Sequence, residues 1–162
     1  MIRVGNQRGM MNFKKLREVA LSTILLIISI DVIFCMIFLF FNDFLPLLYL
    51  DPNNPSSLND VNQVLEIASK LLIVAGGFQL FDGIQAVVLG ALRGMQDVNK
   101  PAIIIFLSYG VIGFPISYYL GFYTSLSMVG IWLGLLSGLF SSSLFLFLRF
   151  NYLSRKIIRL ND

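Results

Sequence analysis

Histidine is absent from this chain of 162 residues, and cysteine occurs once, as Cys35. The first absence removes the imidazole that most often serves as a metal ligand or general base. The second excludes a disulfide framework. Charge is scarce too: Asp, Glu, Lys and Arg make up 13% of the residues, where an ordinary soluble domain carries about 25%. No GxxxxGK[ST] loop, no HExxH pair and no serine or lysine with a partner base occurs. Neither hydrolysis nor ATP-driven work therefore has residues to perform it. The sequence reads as a non-enzyme without cofactors, and anything it moves would be driven by an ion gradient.

Apolar surface is what the chain has in excess. Hydrophobic residues account for 57% of it and the mean hydropathy is +0.81, which places it in a bilayer. The formal charge of +3 does not make a nucleic-acid surface, because the basic residues sit in short flanks around apolar runs. The opening "MIRVGNQRGMMNFKKLREVA" lacks an apolar core before Val19, and the run that follows is long enough to span, so it is not a signal peptide.

Four runs reach the roughly 20 residues that a helix needs to cross about 30 Å of hydrocarbon. They lie near residues 18–42, 65–92, 101–121 and 126–149. All four are expected to be helices, since backbone groups in lipid must be satisfied within the segment. The fold class is an all-α polytopic membrane protein. The second run is long, and its start, with Glu66 and Lys70 at i,i+4, is expected at the interface. Lys and Arg cluster before the first run, between the second and third, and after the fourth. They are missing near 43–62 and 122–125. Positive charge stays inside, so both termini are expected in the cytoplasm. The segment "FLPLLYL" in the first outer loop is expected to lie in the interface.

The groups that need explaining are ionisable ones inside the runs. Asp82, in "FQLFDGIQAVVLGALRG", falls near mid-span, where even a mild scale charges about 2.5–3.5 kcal/mol for an aspartate. Gln79 and Gln85 flank it at i−3 and i+3, a polar face that cannot point at lipid. That face offers carboxylate and amide oxygens to Na⁺, or a carboxylate to H⁺. The bland alternative is a buried hydrogen-bond network that only glues helices. Asp31, in "IISIDVIFCMIF", is a second intramembrane acid with Ser29 as its polar company. It either faces the same cavity as Asp82 or is held neutral in a helix contact.

Glycine and proline mark where helices touch or bend. Gly130, Gly134 and Gly138 repeat every four residues beside Trp132 and read as a packing stripe, as do Gly90 and Gly94. Gly76 and Gly77 precede the polar face, where they could let the helix bend. Pro115 is expected to kink the third span, with Gly110 and Gly113 allowing the bend. Tyr109 can reach the bundle interior, whereas Tyr118 and Tyr119 suit the outer aromatic belt.

The stretches "RVGNQRGMMNFKKLREVA", "FQLFDGIQAVVLGALRGMQDVNKPAIIIFLSYGVIGFPISYYLGF" and "GIWLGLLSGLF" resemble the last third of a MATE (multidrug and toxic compound extrusion) transporter. The resemblance covers nearly the whole chain and is most specific at FQ-x-x-D-G-x-Q and G-A-L-R-G. It implies a twelve-helix antiporter of two lobes around a central cavity, in a bacterial-type plasma membrane. Bulky, often cationic drug-like compounds would leave in exchange for H⁺ or Na⁺. The four spans would be helices nine to twelve, the C-terminal part of the second lobe. The family's coupling acid on the tenth helix falls on Asp82, and the aromatic position one turn earlier falls on Phe78, which lacks a hydroxyl. A C-terminal fragment is therefore expected, acting with a missing N-terminal lobe or a second copy. Two rivals remain: a non-transporting four-helix assembly protein, which needs Asp82 packed against a neighbour, and a flippase of lipid-linked sugars, which needs basic residues at mid-span. An intramembrane hydrolase is more distant, for want of a catalytic pair.

Overall fold

The computed structural model describes residues 1–48 and 58–161. A short helix, α1 (Ile2–Gly9), precedes the first long one, α2 (Phe13–Phe40). Asn12 starts α2 by accepting the Lys15 backbone N–H at 3.2 Å, which satisfies one of the donors a helix start leaves open. A 3₁₀ turn at Leu45–Leu48 follows, and Tyr49, proposed above for the interface, lies outside the described residues. Next come α3 (Leu58–Gly94), α4 (Asn99–Leu107), a π-helical turn (Ser108–Gly113), α5 (Phe114–Phe122) and α6 (Ser127–Asn161). Among the described residues, four segments are long and apolar enough to cross a membrane: Phe13–Phe40, Val64–Gly94, Asn99–Phe122 and Ser127–Asn161. The chain is an all-α, multi-pass membrane protein.

The helices outrun the apolar runs. Helix α2 begins five residues earlier than residue 18, and α6 continues to Asn161 instead of stopping near 149. Lys, Arg, Leu and Ile in "LSRKIIRL" are good or tolerable helix formers, so nothing breaks the helix once it leaves lipid. At 35 residues, α6 is about 52 Å long and overshoots the hydrocarbon core by several turns.

The third span contains an irregular turn where a kink was expected. Pro115 has no N–H and its ring crowds the carbonyl four residues back, at Val111. The chain widens there: the Phe114 N–H donates to the Tyr109 carbonyl, five residues back. A π turn is one of the identifiable ways a helix absorbs such a lesion. Pro101 lies buried in the first turn of α4, where its missing N–H costs nothing.

Small residues let α5 and the π turn lie directly on α6. A Cβ at Gly134 would overlap the Ser117 backbone, and one at Gly138 would stand 2.9 Å from the Gly113 Cα. The stripe Gly130, Gly134, Gly138 thus has a partner surface of Gly113, Ser117 and the Leu120 carbonyl, the close approach on which helix association in lipid depends. Gly76 packs on Cys35 and Gly77 on Leu136. Both therefore sit at helix contacts in α3, whose helix is continuous through them. Gly94 receives Val4 of α1 and the preceding Met1.

The tightest core lies at the end that carries both termini. Val4, Leu16, Ala20, Ile24, Val88, Leu92, Leu146 and Phe150 are buried together there. Arg149 closes it from α6 onto the α3–α4 turn, bonding Asp97 at 2.6 Å. Arg17 donates to Asn151 at 2.8 Å and to Ser154 at 3.0 Å. Toward the other end, Tyr118, Tyr119 and Tyr123 are exposed, with Tyr119 and Tyr123 stacked at 5.9 Å.

Candidate functional site

The site is built on the middle of α3, which packs against α2 on one side and α6 on another. Helical geometry puts Gln79 and Gln85 about 60° to either side of Asp82 when viewed down the axis. Each can therefore be drawn toward a different neighbour, and the structure places them so.

Gln79 turns to α2. Its amide Nε2 donates to Oδ1 of Asp31 at 3.3 Å, although the Gln79 side chain itself is on the exposed face of α3. Asp31 is the more buried partner, with 1% of its surface exposed. Its second oxygen, Oδ2, is buried without a hydrogen-bond partner and rests on Gly83, where a Cβ would collide with it. The nearby Ile27 side chain closes the same spot.

Gln85 turns the other way. It is half-buried with its Oε1 unpartnered, and the Tyr109 side chain comes to it from the π turn. Tyr109 also lies in the electrostatic field of Asp82. Asp82 sits between the two amides and is exposed, on a strip of α3 that neither α2 nor α6 covers.

Phe78 points elsewhere. Its ring meets Trp132 of α6 edge-on at 5.5 Å and 78°. Both rings line a cavity of about 680 Å³ with Phe38, Pro46, Leu72 and Ala75, and almost nothing polar faces it. One turn on, Phe81 meets Phe140 in the same T-shaped manner at 5.0 Å. The α3–α6 seam is thus aromatic, and it borders the polar strip, since Phe78 lies one turn from Asp82 on nearly the same side of α3. Such edge-to-face pairs add about 0.5–1.5 kcal/mol each beyond area burial.

Of the residues singled out in the sequence, Tyr109 reaches Gln85 and the electrostatic field of Asp82, Asp31 pairs with Gln79, Phe78 meets Trp132, and Pro115 is exposed just after the π turn. Sequence reasoning overlooked Gly83 as the seat of the Asp31 carboxyl. The available signal was its spacing: Gly83 lies one turn after Gln79, and only a residue without a side chain leaves room there. Among the described residues no group of three or more Cys, Asp or Glu is placed to hold a metal ion.

Comparison with known proteins agrees with this architecture. A family model described as MatE matches residues 1–119. A protein named probable multidrug resistance protein NorM from Agrobacterium fabrum is 35% identical over 157 residues, which is 96% of this chain and 32% of that protein. Its namesake from Bacillus subtilis is 35% identical over 154 residues, covering 94% and 32%. The Bacillus anthracis namesake is 32% identical over 161 residues, covering 99% and 34%. The chain spans about a third of the length of these curated relatives.

Proposed function

The chain belongs to the MatE family, and on that premise we propose that it works as part of an ion-coupled multidrug antiporter in a bacterial plasma membrane, with its basic end and both termini in the cytoplasm. Bulky, often cationic organic compounds leave the cell as H⁺ or Na⁺ enters. Asp82 binds the coupling ion. Gln85 and Tyr109 supply neutral oxygens beside it, and Gln79 sets its other flank.

The observation that carries this reading is the Asp82 carboxylate, exposed at mid-span next to Gln85 and Tyr109. A charged group at that depth is tolerated against protein or a water-filled cavity, not against lipid. The open strip of α3 therefore calls for a cover. In the family's two-lobe plan that cover is the remaining eight helices, or alternatively a second copy of this chain, and the four helices described here form the end of the second lobe. Alternating exposure of the strip to either side of the membrane would follow from rocking of the lobes.

The rival assembly-protein reading requires Asp82 packed against a neighbouring helix, and among the described residues no helix covers it. A lipid-linked sugar flippase would want cations at mid-span. Between Lys70 and Arg93 of α3 and between Ser127 and Leu148 of α6 there is no lysine or arginine.

The deciding measurement is efflux of a fluorescent organic cation from cells carrying the assembled transporter with this chain. Asp82→Asn is expected to abolish ion-dependent efflux at an unchanged level of protein in the membrane. Efflux equal to wild type in that variant would remove Asp82 from the coupling role.

A further inference from the structure

Where α2 and α6 meet, at the end that carries both termini, there is positive charge that the chain does not neutralise. Arg17 gives two of its donors to neutral acceptors, Oδ1 of Asn151 at 2.8 Å and Oγ of Ser154 at 3.0 Å. Arg155 lies in the electrostatic field of Arg17, and among the described residues it has no hydrogen bond or ion pair. Arg159 adds another like charge one turn later on α6. The described acids of this end are engaged or aimed elsewhere. Asp97 holds Arg149, and Glu18 is exposed and projects about 100° from Arg17 around α2. Guanidinium groups that repel one another and share no carboxylate call for an anion between them.

The same faces of the two helices continue into the membrane as an apolar groove of about 410 Å³. Leu21, Leu25 and Ile28 form its α2 wall, Leu144 and Phe147 its α6 wall, and Phe81 of α3 part of its floor. Its one polar lining residue, Ser143, returns its hydroxyl to the Phe140 carbonyl at 2.9 Å. Arg17 precedes Leu21 by one helical turn, and Asn151 follows Phe147 by one, so each stands about 6 Å beyond the groove. That is the depth of the headgroup layer, about 5–7 Å thick on each side of the hydrocarbon. Arg155, one turn further out, reaches back to it by snorkelling. With Asn151, Tyr152, Lys156 and Arg159 it also lines a second space of about 520 Å³ on the outer surface of α6.

We propose that this is a binding site for one anionic phospholipid, with a single acyl tail in the α2–α6 groove and the phosphate between Arg17 and Arg155. Arginine matches phosphate oxygens with paired N–H donors, and the tail buries the exposed walls at Leu25 and Leu144. An apolar helix laid in the groove would leave the arginines uncompensated, and an organic cation would be repelled by them. The site stands on this geometry and does not involve Asp82. Only its leaflet, the anionic cytoplasmic one, rests on the orientation proposed above.

Native mass spectrometry tests this on the assembled transporter, released from nanodiscs of equal parts phosphatidylglycerol and phosphatidylcholine. One phosphatidylglycerol per copy of this chain is expected to be retained. Arg155→Gln should weaken retention about fivefold, the effect of one cation at an anionic surface. Lys100→Gln removes an equal charge at the exposed start of α4 and should change nothing. Leu25→Trp fills the groove from one wall and Leu144→Trp from the other. Whichever variant unfolds like wild type in lipid-free detergent should lose the lipid. Glycerol 3-phosphate, a headgroup without a tail, should not compete. Equal retention of phosphatidylcholine, or equal weakening by Lys100→Gln and Arg155→Gln, would overturn the phosphate site. Retention unaffected by a tryptophan in the groove, or full competition by glycerol 3-phosphate, would overturn the tail site. No lipid retained by the assembled transporter would mean that another part of the protein fills the groove, and would overturn both. None of these readouts involves transport, so they are independent of the efflux result for Asp82→Asn.

Discussion

The Asp31 carboxyl lies on the bare Cα of Gly83, the residue next to Asp82, so two intramembrane acids on different helices meet the same turn of α3. Adding a single methyl group by Gly83→Ala puts a Cβ into Oδ2 of Asp31. The acid must swing away or α2 must separate from α3, and overpacking of this kind costs about 1–3 kcal/mol. Chemical unfolding in detergent should show that loss. In the Asp31→Ala background the same methyl group meets no carboxyl, so the double mutant is expected to be less destabilised than the sum of the singles. Strict additivity would show that the two residues do not touch.

A contact between backbones leaves less room for escape. Gly134→Ala drives a Cβ into the Ser117 main chain, which cannot rotate aside as the Asp31 carboxyl can. The expected loss is about 3 kcal/mol or more, with α5 displaced from α6. The control is Gly110→Ala on the exposed side of the same span, where an added Cβ meets nothing within 4 Å. It should shift stability by about 0.5 kcal/mol at most. Equal losses at the two positions would mean that α5 and α6 do not interlock as described.

Two ion pairs at comparable distances should differ in worth. Arg149 and Asp97 join α6 to the α3–α4 turn at 2.6 Å with side-chain exposures of 20% and 14%, whereas Lys70 and Glu66 meet at 2.7 Å with 57% and 69%. A double-mutant cycle on the first pair should give a coupling of about 2 kcal/mol, as for a charged hydrogen bond shielded from water. The cycle on the second should return no measurable coupling, because solvent screens it and the long side chains lose entropy.

Much of this was readable in the sequence, and the residues where reading stopped share a cause. Lipid demands some 20 apolar residues per crossing, so the four spans announced themselves, and their overrun at Phe13 and Asn161 reflects helix propensity continuing where the lipid requirement ends. The four-residue spacing of Gly130, Gly134 and Gly138 identified a packing stripe, yet its partner at Gly113 and Ser117 depends on how two helices cross. The same holds for the polar face. Spacing placed Gln79, Asp82 and Gln85 on one side of α3, but the 60° divergence of the two amides acquired meaning only with Asp31 on one flank and Tyr109 on the other. Phe78, one turn from Asp82, would be assigned to the same face by spacing; the position of Trp132 draws it to the α6 seam.

That division of α3 into a polar strip and an aromatic seam yields a prediction that separates coupling from stability. Tyr109→Phe and Gln85→Leu leave the packing volume nearly unchanged and remove oxygens beside Asp82. In the assembled transporter each should shift the ion concentration needed for half-maximal efflux, with membrane abundance and unfolding behaviour close to wild type. Phe78→Ala breaks the edge-to-face contact with Trp132 and enlarges the apolar cavity that both rings line. It should cost about 3 kcal/mol of stability, as large-to-small changes of aromatic residues do, without moving the ion dependence of whatever efflux remains. Efflux assays across a series of pH values and Na⁺ concentrations, run beside thermal unfolding of the same preparations, read both quantities. If Phe78→Ala changed the ion dependence as strongly as Tyr109→Phe, the coupling site would extend across α3 into the aromatic seam, and the separation of the two faces would be wrong.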